Sequence, residues 1–213
     1  MKKFGKLMLF LLLMSMLISC GTFAARSNQI PATTVIDQSS ISETNFGGGI
    51  NDCCKYIAQT FTAGVTGTLA GVAIDVISSP TNSLRLHVAI RTVTARGMPS
   101  PMILGETTLR SGNAPLSLVI TFPQVITIIA GDQYAIVVNY QGALPAGKGK
   151  SLGMWSGASG DTYPLGKNFA SVSDGILWFE QAGGDYHFQT YVILMVPPDN
   201  NNEPQGPTPA PTE

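Results

Sequence analysis

Histidine is nearly missing from this sequence of 213 residues, which has only His87 and His187. A three-histidine metal site is therefore excluded, and a serine hydrolase would have to set one of the two beside its nucleophile. No G-x-S-x-G turn occurs, and Ser156-Gly157-Ala158-Ser159-Gly160 has the wrong spacing for one. With both histidines sited on expected strands, they read as ordinary strand-surface residues. Charge is also scarce, at 12% of residues. Three of the 12 basic side chains, Lys2, Lys3 and Lys6, precede Leu7, which leaves 9 against 13 acidic ones. Nucleic-acid binders concentrate positive charge, so no nucleic-acid partner is expected. The 3 cysteines, Cys20, Cys53 and Cys54, are too few to make a zinc centre without further ligands. Helical periodicity is missing throughout.

Carboxylates are few but gather late in the chain, with Asp161, Asp174, Glu180 and Asp185 in or near loops. A glycosidase needs two opposed carboxylates across a cleft. Asp beside Gly or Ser is ordinary turn chemistry, however, so no enzyme and no catalytic residue is expected. No organic cofactor is expected either. A structural calcium held by loop oxygens stays open, without any regular ligand spacing to support it.

At the N-terminus the three lysines stand ahead of an apolar run from Leu7 to Ile18, the layout of an export signal. The run is too short to span a bilayer comfortably. Leu17-Ile18-Ser19-Cys20 resembles the lipobox read by lipoprotein signal peptidase, which implies cleavage after residue 19 and a diacylglyceryl group on Cys20. Several acyl chains, each adding roughly 0.8 kcal/mol per buried CH₂, hold a protein to a membrane without a spanning helix. Gly21 in place of Asp implies no retention at an inner membrane. The expected organisation is a signal at 1–19, a linker at 20–31, one domain at 32–196 and a Pro- and Asn-rich disordered tail at 197–213. The domain is about 160 residues, the size of a single core.

Within that span the composition favours strands, with 23 Gly and 14 Pro punctuating runs of Val, Ile and Thr. Leu84 to Ile90 alternates apolar residues with Arg85, His87 and Ala89, the clearest strand of the chain. Further strands are expected at 57–62, 68–77, 103–109, 116–122, 125–129, 134–140, 177–180 and 186–194, separated by turn formers such as Gly97-Met98-Pro99 and Gly183-Gly184-Asp185. This much apolar surface needs two facing sheets. The expected fold class is all-β, an antiparallel jelly-roll β-sandwich, with an immunoglobulin-like sandwich as the alternative.

Four stretches carry a family resemblance: AQTFTAGVTGTLAGV (Ala58 to Val72), AGDQYAIVV (Ala130 to Val138), Trp155 followed by DTYPLG (Asp161 to Gly166), and HFQTYV (His187 to Val192). In order and spacing they resemble the jelly-roll domain of bacterial choice-of-anchor surface proteins. The resemblance implies an extracellular, non-enzymatic module similar in form to carbohydrate-binding modules, with the lipobox as its anchor.

Aromatic faces stack on the apolar C–H surface of sugar rings, which makes Trp155, with Tyr163 and Asp161 near it in sequence, the leading ligand-binding candidate, followed by Trp178. Trp178, between Leu177 and Phe179, also suits core or edge packing. Cys53 and Cys54 are adjacent after the flexible stretch Phe46-Gly47-Gly48-Gly49. Three states stay open for them: a crosslink to another chain, a strained disulfide between neighbours, or a buried unreacted pair. The expected function is a lipid-anchored surface module for binding or adhesion, with a glycan or surface protein as partner. A structural subunit of a surface layer, which would be a homo-oligomer, is the alternative.

Overall fold

A computed structural model describes residues 34–51, 54–78, 85–110, 116–141 and 153–194. The expected signal, lipidation site Cys20, linker, Cys53 and tail lie outside the described residues. Fourteen strands form the described chain: β1 (Thr34–Ser40), β2 (Phe46–Ile50), β3 (Tyr56–Thr62), β4 (Gly67–Ser78), β5 (Arg85–Val93), β6 (Pro99–Arg110), β7 (Leu116–Ile120), β8 (Thr127–Ile128), β9 (Gln133–Gln141), β10 (Gly153–Ser159), β11 (Asn168–Ser173), β12 (Leu177–Glu180), β13 (Gly184–Tyr186) and β14 (Phe188–Leu194). One sheet runs β1-β14-β4-β10-β13, with β2 added to β10 and β7 and β8 added to β4; the other runs β12-β11-β3-β9-β5-β6. Every pairing is antiparallel. No helix occurs among the described residues, and the two sheets face one another as an antiparallel jelly-roll sandwich.

The period-two pattern explains the layering. In β5, Leu86, Val88 and Ile90 enter the main core, while His87, Ala89 and Arg91 stand on the outer face. In β9, Tyr134, Ile136, Val138 and Tyr140 meet them from the neighbouring strand. From the facing sheet come Val72, Ile74 and Val76 of β4, Trp155 of β10 and Phe188 of β14. Each fully buried aliphatic or Phe side chain contributes about 1.5–3 kcal/mol of transfer free energy.

Several expectations are corrected by packing. The Phe46-Gly47-Gly48-Gly49 stretch is not a flexible linker; it is β2, paired along β10 from Gly157 to Gly153. Its glycines make room for neighbours: a Cβ on Gly48 would overlap the Tyr186 hydroxyl, and one on Gly47 would lie 2.6 Å from Met154 Sδ. Between the expected strands 134–140 and 177–180, where no strand is expected, lie β10 and β11. Pro99, read as part of a turn, opens β6, which is tolerated because β6 is an edge strand. The expected strand 125–129 shortens to β8, and the one at 186–194 is interrupted at His187.

Candidate functional site

Where β10 and β13 meet the start of β11, the loops 160–167 and 181–183 enclose a cleft of about 310 Å³. Its side-chain lining includes Asp161, Lys167, Asn168, Glu180 and Gln181. Buried Asp185 on β13 fixes one wall. Its Oδ2 accepts from the backbone N–H of Thr162 and of Tyr163, both at 2.9 Å, and its Oδ1 accepts from Gln59 Nε2 at 3.1 Å. Gln59 in turn accepts the Tyr186 N–H at 2.9 Å. A buried carboxylate is tolerable only when its acceptor sites are filled, and here they are filled by donors from the loop and from β3 of the facing sheet. The other wall is tied to β3 as well, since Thr60 Oγ1 accepts the Lys167 N–H at 2.8 Å.

The polar groups facing the cleft differ in how firmly they are held. Lys167 Nζ lies 2.9 Å from both Glu180 oxygens, but this pair is solvent-exposed and worth little. Gln181 is anchored, because its Oε1 accepts from the Tyr186 hydroxyl at 2.6 Å. Tyr186 is stacked between Trp155, 4.8 Å between centroids, and Phe46, 5.7 Å. Burial pushes the Tyr186 hydroxyl pKa up, so the phenol keeps its proton for Gln181. Asn168 is buried, its amide nitrogen donates to the Gly184 carbonyl, and its Oδ1 has no partner.

Of the residues expected to bind ligand, only Asp161 stands exposed on this cleft. Trp155 is 0% exposed and donates its Nε1–H to the His187 carbonyl at 2.8 Å, so the leading sequence candidate is a core residue and not a contact surface. Tyr163 is likewise buried: its hydroxyl donates to Gln38 Oε1 at 2.7 Å and its ring meets Phe188 edge-on. Burial raises that hydroxyl pKa to about 12. Trp178 is half-buried on the outer face of the second sheet. Two residues from Glu180 on the same strand, it shares a face with the carboxylate that lines the cleft. Among the other carboxylates, Glu180 and Asp185 reach the cleft, while Asp174 sits in the β11–β12 turn.

His187 is not on the surface; its ring is buried, with Nδ1 3.3 Å from Asp75 Oδ2. His87 lies between Asn139 Oδ1 at 2.7 Å and Glu106 Oε2 at 3.0 Å. Cys54 is buried in the main core, its backbone N–H held 3.1 Å from Asn51 Oδ1. Among the described residues no three His, Cys, Asp or Glu side chains lie together as a metal site. The sequence reading missed Lys167, Asn168, Gln181 and Gln59, whose side chains belong to no recognisable motif and converge only through β3, β11 and β13.

No protein-family model matches the chain. No curated protein matches it either. Among solved structures, it is similar at 13% identity and a TM-score of 0.42 to the cysteine protease and lectin-like domains of Cwp84, a surface layer associated protein of Clostridium difficile. The match covers 78% of this chain and 37% of that one, so the chain spans well under half of its length.

Proposed function

We propose that this protein is a non-catalytic binding module, lipid-anchored through Cys20 outside the cytoplasm, and that its cleft holds a glycan. The observation that carries this reading is the polar cleft itself, built on a buried frame of Asp185, Gln59 and Tyr186. Sugar hydroxyls donate and accept, and the cleft offers Lys167 and the Gln181 amide nitrogen as donors with Asp161 and Glu180 as acceptors. Its volume is at the small end of ligand sites, which suits one or two rings.

The test is a glycan array probed with the purified protein and with Gln181→Ala and Lys167→Ala. Saturable binding to a defined glycan, weakened at least tenfold by both changes, supports the reading. Absence of binding to every glycan, or binding indifferent to both substitutions, rejects it.

One observation favours a second reading, a self-associating surface subunit. The β11–β12 hairpin exposes Val172, Ile176, Leu177 and Phe179, and β12 is the edge strand of its sheet. Exposed apolar edges recruit neighbouring strands. Discrete oligomers of the purified protein, dispersed by Phe179→Lys, would favour assembly over glycan binding.

A further inference from the structure

Arg91 is a buried cation whose surroundings point to a ligand. On β5 it follows the core residue Ile90 and stands with His87 and Ala89 on the outer face of the second sheet. That face has a small core of its own, Ala58, Ala135, Val137 and Phe169, with Tyr56, Met98 and Trp178 among the residues packed against it. The register sets Ala58 opposite Val137 and Val137 opposite Ala89, so the floor is a row of short side chains across three strands. The β11–β12 turn reaches Arg91. Asp174 and Gly175 both have left-handed backbone, with φ of 47° and 72°, and the Gly175 carbonyl accepts from Arg91 Nη1 at 3.1 Å. A Cβ on Gly175 would lie 3.2 Å from Tyr56 Cδ1 and 3.3 Å from Arg91 Nη1, so the turn rests on both side chains.

This arrangement leaves Arg91 poorly compensated. The residue is 7% exposed, yet no ion pair among the described residues includes it. Its Nε is buried without a hydrogen-bond partner, and so is the indole Nε1 of Trp178 on the same face. Burial also lowers the guanidinium pKa, and Tyr56 and Glu106, which act the other way, do not offset that desolvation. A buried charge without its counterion is costly, and a neutral carbonyl is a weak substitute for a carboxylate, whose charge-assisted bonds are roughly twice as strong. The guanidinium fork is shaped to take a carboxylate by two parallel N–H bonds, and only one of its arms is used by Gly175.

We infer that the outer face of the second sheet around Arg91 is a binding site for a carboxylate-bearing sugar, a uronate, held by the edge of the guanidinium that the Gly175 carbonyl leaves unused. The incoming carboxylate moves the turn aside, pairs with Arg91 Nε and Nη2, the two donors on one edge of the guanidinium, and brings the sugar ring against Tyr56 and Trp178, whose indole N–H donates to a ring hydroxyl. A sugar is favoured over a peptide because the floor, β3-β9-β5, is paired on both sides of each strand and offers no free edge for strand addition. This site is distinct from the cleft, and its ligand is recognised by charge.

Calorimetric titration of the whole purified protein with trigalacturonate, its methyl ester and acetyl-Gly-Gly, a peptide carboxylate, tests the inference. The expected result is saturable binding of trigalacturonate, at least tenfold tighter than of the methyl ester or the peptide. Arg91→Met, which keeps the stem and drops the charge, weakens it at least tenfold. Arg91→Lys does so too because it loses the fork, and it serves as the measure if Arg91→Met fails to fold. Trp178→Phe weakens it a few-fold. No saturable binding, equal binding of the methyl ester, preference for the peptide, or a trigalacturonate affinity unchanged in Arg91→Lys would each overturn the assignment.

Discussion

The two tryptophans occupy opposite kinds of environment. Trp155 lies between the sheets with its indole stacked on Tyr186 and its N–H bonded to a carbonyl. Trp178 lies outside the second sheet, half-buried, with its N–H enclosed and unbonded. Both rings are packed, but only one has all its polar chemistry satisfied within the chain. Natural proteins bond nearly all buried donors, so an exception marks a place where something else belongs or where energy is being spent. The surroundings of Trp155 are thus complete, whereas the outer face around Arg91 and Trp178 carries two buried donors without acceptors.

The largest expected effect breaks the interior side of this comparison. Trp155→Ala should cost about 3–5 kcal/mol, because a large buried ring leaves a cavity and Tyr186 loses its stacking partner. Denaturant unfolding measures it. A loss under about 1 kcal/mol would mean that Trp155 is not the core residue described here. Glycan binding at the cleft should fall with it, since Gln181 is positioned through Tyr186.

Next in size is Asp185→Asn. The amide that replaces one carboxylate oxygen is a donor, and it must face either the Thr162 and Tyr163 N–H groups or Gln59 Nε2, so at least one donor is left without an acceptor. The expected cost is about 1–3 kcal/mol by unfolding, with loosening of the 160–167 loop seen as faster amide exchange at Thr162 and Tyr163. Unchanged exchange there would sever the buried frame from the cleft wall.

How much of this could be read from the sequence depended on whether the signal was local. Strand β5 was legible because Leu86, Val88 and Ile90 alternate cleanly with residues of the outer face. β2 and β10 were not, because Gly47, Gly48, Gly153 and Gly157 read as loop; their reason lies in Tyr186, Met154, Tyr140 and Phe46, which occupy the space a side chain would take. The candidate site was half legible. Asp161 and Glu180 read as carboxylates in or near loops and do line the cleft, but Trp155 reads as the better contact than Trp178 because Leu177 and Phe179 flank the latter and suggest packing. Only strand pairing reveals that Trp155 points inward. Arg91 gave no signal, since an Arg in an alternating strand reads as solvated, and its burial depends on a turn more than eighty residues later.

A smaller effect concerns the buried phenols on the interior side. Burial raises the hydroxyl pKa values of Tyr140 and Tyr163 to about 12 from about 10 in the unfolded chain. The folded state therefore holds these protons after the unfolded state has released them. Stability is fully present below about pH 10 and is lost as pH rises from there through about 12. Tyr140→Phe should shift the alkaline unfolding midpoint upward. The Tyr140 hydroxyl has no partner to lose, so stability at pH 7 should hold or rise. A midpoint that does not move would show that other groups govern alkaline unfolding.

The smallest expected effect is the most informative about the outer face. Trp178→Phe keeps most of the ring's packing against the outer-face cluster but removes the orphan N–H. Losing part of the ring costs transfer free energy, while removing an unsatisfied buried donor recovers some of the roughly 1–3 kcal/mol that such a group imposes. The two oppose each other, so the net change should be within about 1 kcal/mol of zero. The same substitution made at Trp155, whose N–H is bonded to the His187 carbonyl, adds a lost bond and an unpaired carbonyl to the lost packing, and should cost clearly more. If the two Trp→Phe variants unfold at the same denaturant concentration, the indole of Trp178 is satisfied in solution and the contrast between the two faces disappears. If Trp178→Phe alone is neutral, the outer face retains a donor that folding does not use.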